Sequence, residues 1–285
     1  MSSLKEIKNR IGSVKSTLKI TSAMKLVASS KLHRAQTAIE SMSPYQQALS
    51  DTLSRLSGGQ VSFGVKAEDS EVQGRTALIA VASNSSLCGG FNSNVAKKAT
   101  EIVKAEGDVV LYAVGRKMVD NMRKIGLKSE KDLTSLAARA TYDEAASLAE
   151  ELVTKFTSGE FSKVILVYTH FVSTARQEVR AEQYLPFVSS VSAGDAKAGD
   201  EEDYIVEPNA EEVLRGLLPK VLSLKIYAML LDSAAAEHAA RTVAMQTATD
   251  NGNEILSDLT IEYNKGRQNK ITNEILDIVG GSISN

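Results

Sequence analysis

The side chains that could do covalent or acid–base chemistry here are few and scattered. A single cysteine, Cys88, lies in the run Ser83-Asn84-Ser85-Ser86-Leu87-Cys88-Gly89-Gly90-Phe91-Asn92. An apolar stretch precedes this run and a helical one follows, which is where an α/β protein holds a phosphate against a helix N-terminus. The run matches neither G-x-G-x-x-G nor a P-loop and has no lysine to meet a phosphate, so a tight strand-to-helix turn is its expected use. A thiol near a helix start is a nucleophile when a base stands beside it. The histidines are His33, His170 and His238, and only His170 falls outside the terminal helical stretches. A Cys88–His170 pair is one reading, and a small thiol packed in a turn is the plainer one. No C-x-x-C, H-x-x-H or H-E-x-x-H spacing occurs, so no metal site is expected. The acidic run Asp200-Glu201-Glu202-Asp203 reads as a solvated loop. With no convergent acid, base and nucleophile, the chain is expected to be no enzyme by itself and to bind no cofactor.

The elements that would position these residues are dominated by two terminal helices. From Asn209 to about Ile283 the chain reads as one long helix, opened by Pro208, the capping Asn209 and the acidic Glu211 and Glu212. Pro219 is expected to kink or restart it, and Gly280-Gly281 to stop it. Some sixty residues at 1.5 Å each make a rod of roughly 90–100 Å, too long to be buried in its own domain. Ser233 to Ala240 is rich in small residues that admit a second helix, and Leu256, Leu259, Tyr263, Gly266, Ile271, Ile275 and Ile278 form a coiled-coil seam. The matching stripe is at the other end: Leu4, Ile7, Ile11, Val14, Leu18 and Thr21, then Met24, Ala28, Leu32, Ala35 and Ile39. Pro44 is a bend point, Tyr45 to Leu56 resumes the helix, and Ser57-Gly58-Gly59 ends it. The two stripes predict an antiparallel intramolecular coiled coil with an insertion at one end.

The insertion alternates strands and helices. Strands are expected at 75–83, 108–114, 163–171, 176–186 and, short and last, 203–206; helices at 92–106, at 115–125 and from the Thr141 cap to Thr157. This is an α/β pattern with Rossmann-like order. The boundaries are 1–58 for the N-terminal coiled-coil helix, 59–208 for the globular α/β domain and 209–285 for the C-terminal helix.

Composition limits the partners. At 43% hydrophobic, 24% charged and a net charge of −2, the chain is of ordinary soluble composition and poorly suited to nucleic acid. Its lone cysteine excludes an internal disulfide and fits a reducing compartment. No run approaches the roughly twenty apolar residues of a membrane span, so any membrane contact is expected through another protein. Lys5, Lys8, Arg10, Lys15, Lys19, Lys25, Lys31 and Arg34 face the single acid Glu6 over the first 34 positions. A solvated face, an anionic polymer or membrane, and an acidic protein collar all fit that charge. At the far end of the last helix, Arg267, Gln268, Asn269, Lys270, Thr272 and Glu274 stand beside Ile271, Ile275, Ile278 and Val279. Apolar and polar groups together on a projecting rod suggest a sleeve of partner protein.

The run from Ile11 to Leu32, IGSVKSTLKITSAMKLVASSKL, closely resembles the N-terminal signature of the gamma subunit of the rotary F-type ATP synthase. Glu237 to Met245, Ala248-Thr249-Asp250-Asn251, Tyr263 to Gln268 and Ile271 to Ile275 resemble its C-terminal signature, and Leu87 to Asn92 and Asp203-Tyr204…Glu207-Pro208 are similar to it as well. The resemblance implies a rotor shaft whose coiled coil enters a ring of three alpha and three beta subunits. The α/β domain would be a foot on epsilon and the c-ring, with delta present only in the same complex. Catalysis would belong to the beta subunits, and the complex would sit peripherally at the cytoplasmic face of the bacterial inner membrane. By motif, Lys25, Arg241, Arg267, Gln268, Thr272 and Glu274 would touch the alpha–beta ring. Ile275, Ile278 and Val279 would form the apolar shaft tip, and Tyr204 and Glu207 would face the c-ring. Two departures stand out: Gly266 replaces an alanine frequent in the family, and Ser85-Ser86 a charged pair. An α/β nucleotide enzyme with helical arms and a free-standing coiled-coil adaptor are the competing readings.

Overall fold

The computed structural model describes residues 4–56, 60–63, 74–190, 207 and 209–283. Tyr204, the strand expected at 203–206 and the acidic run 200–203 lie outside the described residues. Two helices carry the ends of the chain, α1 (Leu4–Leu56) and α6 (Ala210–Ile283). Both helices continue through their prolines. Pro44 is inside α1 and Pro219 inside α6, and α6 also runs through Gly280 and Gly281 to Ile283. A proline removes one hydrogen bond and a glycine costs about 1 kcal/mol, penalties small against the many hydrogen bonds of a long helix.

The chain divides into two compact units, Met1–Ser29 with Arg241–Asn285, and Ser30–Ala240. In the first, the two helices run antiparallel. Thr21 and Thr249 bring their hydroxyls within 2.9 Å, Lys25 donates to Gln246 Oε1, and Leu18 and Leu4 lie over Gly252 and Gly266. From Thr21 through Leu18 to Leu4, each step back along α1 is matched by an equal step forward along α6, so the seam does not slip. Ile7, Thr21, Ala28, Met245 and Leu259 are buried in it. A Cβ on Gly252 would stand 2.7 Å from Leu18 Cδ2, and one on Gly266 3.0 Å from Leu4 Cδ2. Both glycines are therefore points of close helix approach.

The second unit is built on a sheet of β2 (Arg75–Val81), β3 (Val109–Val114), β4 (Phe161–Phe171) and β5 (Gln177–Leu185), in the order β3-β2-β4-β5. The first three are parallel, and β5 is an antiparallel edge. Between them lie α2 (Phe91–Glu106), α3 (Arg116–Arg123), α4 (Thr134–Ala138) and α5 (Tyr142–Thr157). Alternate residues of β2 serve opposite faces: Ile79 and Val81 join Leu148, Leu152, Ile226 and Met229, while Leu78 and Ala80 join Val95, Ala99, Met118 and Met122. Covered on both sides, the parallel strands are apolar through their centres, Ala77–Val81, Val109–Val114 and Val164–Tyr168. A two-stranded antiparallel sheet of β1 (Gln60–Phe63) and β6 (Phe187–Ser190) was not expected; four residues are too few for a periodic signal. Thr141 caps α5 as expected, its Oγ1 accepting from Glu144 N at 3.4 Å and donating to Glu144 Oε2 at 3.0 Å.

Two consequences for stability follow. Glu106 accepts from Lys163 at 2.7 Å and from Thr76 at 3.1 Å, and the Lys163 bond foremost holds its carboxyl below the ordinary carboxylate pKa. Its contribution is present above that ordinary value and is lost as pH falls through the lowered native one. Glu106→Gln is therefore expected to flatten the acid limb of a stability-versus-pH curve. Gly216 in α6 has open space where a Cβ would stand. Gly216→Ala is expected to raise stability by about 0.5–1 kcal/mol, read as a higher unfolding midpoint.

Candidate functional site

In a sheet of this order, ligands bind outside the C-terminal ends of the strands where the connections diverge, here between β2 and β4. The Ser83–Asn92 turn borders that crevice and satisfies its own polar groups. Asn92 Oδ1 accepts from Ser83 N at 3.0 Å, and Asn92 Nδ2 donates to Ser85 O at 3.3 Å and to Cys88 Sγ at 3.1 Å. Leu87 takes a left-handed conformation, φ 66°, within the turn. Cys88, 1% exposed, packs with Phe91 and Ala236, and with Phe171 and Ala240 beside them. The crevice is thus filled from α6 by alanines. His170 faces elsewhere, its Nδ1 2.6 Å from Asp232 Oδ2. Cys88 and His170 make their hydrogen bonds to different groups, so the nucleophile–base reading gives way to the packed turn.

The other candidate residues lie in the helical unit. Gly266 is opposite Leu4, so α6 from Arg267 onward runs past the described start of α1. On this stretch Arg267, Gln268, Thr272 and Glu274 are exposed. Helical spacing puts Arg267, Ile271, Glu274 and Ile278 on one stripe, and Gln268, Thr272, Ile275 and Val279 on the next. The apolar members are unusually open, with Ile275 55%, Ile278 72% and Val279 51% exposed. Lys270 and Glu274 form a surface ion pair at 3.6 Å, worth little to stability. The remaining predicted contacts differ: Lys25 is held by Gln246, and Arg241 is buried at 8% exposure. Of the foot pair, Glu207 is exposed.

Sequence reasoning missed Leu276 on the projecting stretch, and Ile20, Leu26, Val27, Val243, Ile255 and Ile261 on the paired stretch, all large, apolar and exposed. Their signal was present in the sequence. They are apolar positions off the seam spacing, on helices whose seam is already accounted for.

A model of the family described as ATP synthase matches residues 3–284. The ATP synthase gamma chain of Phocaeicola vulgatus is 50% identical over 293 residues, with 100% of both chains covered. The family is settled by this. The chain belongs to the ATP synthase gamma chain family. The gamma chain of Bacteroides fragilis is 46% identical over 290 residues, again with 100% of both chains covered. Among solved structures, the rotor of the Euglena gracilis mitochondrial ATP synthase matches with TM-score 0.64 and 19% identity, over 94% of this chain and 98% of that one. It shares the fold of this gamma chain: long terminal helices around a mixed α/β sheet. Gamma chains are subunits of the ATP synthase complex, and among the described residues of this one no helix is long and apolar enough to cross a membrane.

Proposed function

We propose that this gamma chain is the central rotor shaft of its ATP synthase, carrying torque between a proton-driven c-ring and a catalytic ring of three alpha and three beta subunits. Its asymmetry imposes different conformations on the three beta subunits in turn, and the chain itself is non-catalytic. The α/β domain stands on epsilon and the c-ring through Tyr204 and Glu207, delta belongs only to the same complex, and the assembly is peripheral to the cytoplasmic face of the inner membrane.

One observation carries the reading: the end of α6 presents Ile271, Ile275, Leu276, Ile278 and Val279 to solvent, next to Arg267, Gln268, Thr272 and Glu274. Apolar area of this kind is stable only inside a sleeve, and apolar contact lets a shaft turn without breaking directional bonds. Lys25 and Arg241 would be further contacts to the ring. The crevice packed by Ala236 and Ala240 supports a non-catalytic role, because α6 occupies the place where a nucleotide would bind. The test is to assemble the chain with its alpha and beta subunits. One copy per three alpha–beta pairs, with ATP hydrolysis that requires it, supports the proposal. A chain that stays apart from the ring, or binds ATP alone in calorimetry, overturns it.

A further inference from the structure

A rotor foot must grip its shaft: Leu222, Ile226, Met229 and Leu230 of α6 interlock with the core on one face of the sheet, but the stretch of α6 that follows them is poorly suited to gripping by shape. Ala235, Ala236 and Ala239 are fully buried there, against Phe171, Leu32 and Cys88 among others. Alanines give close contact but little relief, so packing alone resists separation better than it resists sliding or twisting. Ser233, the neighbouring buried polar residue, makes no hydrogen bond. Directional bonds add to the grip where the alanines begin, and Asp232 makes two of them.

Asp232, one turn before Ala236, gives Oδ1 to Phe171 N at 2.9 Å and Oδ2 to His170 Nδ1 at 2.6 Å. The acceptor is on α6 and both donors are on β4, at the strand end that borders the crevice. The Asp232 side chain is 18% exposed and that of His170 30% exposed, so water competes only in part. Lys225 of α6 and Glu182 of β5 add a longer contact, at 3.8 Å. Beyond Asp232, Phe171 is wedged between the α1–α6 cluster of Leu32, Ala35 and Ala239 and the cluster of Cys88 and Phe91. Two hydrogen bonds to one carboxylate fix both the height and the rotation of α6 against the sheet, which one bond could not do.

We propose that Asp232 is a torque-bearing positioning residue of the foot, locking α6 to the C-terminal end of β4 inside the crevice that other α/β proteins use for ligands. The proposal rests on the rotor reading above. Its test uses the assembled complex with the alpha–beta ring fixed to a surface and a bead on the α/β domain. Angular variance of the stalled rotor reports torsional stiffness. With Asp232→Ala the variance is expected to rise about two-fold, as both directional ties are lost, while ATP hydrolysis by the unloaded complex stays at the wild-type rate. Asp232→Asn keeps an acceptor for Phe171 N and is expected to fall between the two. Variance equal to wild type in Asp232→Ala overturns the proposal. If that variant does not assemble, unchanged variance in both Asp232→Asn and His170→Gln overturns it instead. A wild-type bead that does not turn with ATP defeats the rotor reading itself, a result distinct from any change in stiffness.

Discussion

Gly115→Ala is expected to cost the α/β unit about 4 kcal/mol, lowering its unfolding midpoint by roughly 10 °C. Gly115 follows β3 with φ 89° and ψ 140°, a conformation that a residue with a Cβ adopts only under strain. A Cβ there would stand 2.1 Å from the carbonyl oxygen of Ala82 and 3.2 Å from Ala137 Cβ. The obstacle is backbone, not the end of a flexible side chain, and moving it disturbs the ends of two strands together. Ala82 N donates to Val114 O, Lys117 N to Ser83 O, and Arg116 N to Asn84 Oδ1. Gly126 separates strain from clash, since it has φ 82° and nothing near its Cβ position. Gly126→Ala is expected to cost only about 1–2 kcal/mol. Thermal unfolding followed by circular dichroism measures both, and equal losses would mean that the Ala82 contact is relieved without cost.

The double variant Arg267→Ala with Gln268→Ala is expected to leave the isolated chain as stable as wild type, within about 0.5 kcal/mol. Both side chains are exposed on the stretch of α6 that runs past α1, so neither supports intrachain packing. In the assembled complex the expectation reverses. Two polar groups beside an apolar sleeve are the groups able to register the shaft against one beta subunit at a time, and buried interface arginines commonly dominate binding energy. ATP hydrolysis by the complex is expected to fall about 10- to 100-fold, corresponding to about 1.4–2.8 kcal/mol. Hydrolysis at the wild-type rate would remove these two residues from the ring contact and leave the apolar tip as the coupling surface.

Much of this architecture is legible in the residues because its signals are long. The α1 stripe from Leu4 to Ile39 and the run of α6 extend over many turns, and β2 and β4 have unbroken apolar centres. Where signals are short or tertiary, reading fails. β1 and β6 have four residues each and are specified by each other, 120 and more positions apart in the chain. Gly280-Gly281 suggested a stop by local propensity, yet α6 runs on to Ile283. For the site, the mixed character of 267–279 could be read from composition, but the burial of Arg241 could not. Nor could Asp232, an ordinary acid in sequence, since its role depends on β4 ending against α6.

The most direct measurement is rotation itself. With the alpha–beta ring fixed to a surface and a bead attached to the α/β domain, adding ATP is expected to turn the bead in one direction, in steps that repeat three times per revolution. A bead that stays still or only fluctuates, while the same complexes hydrolyse ATP at full rate, would contradict the shaft account.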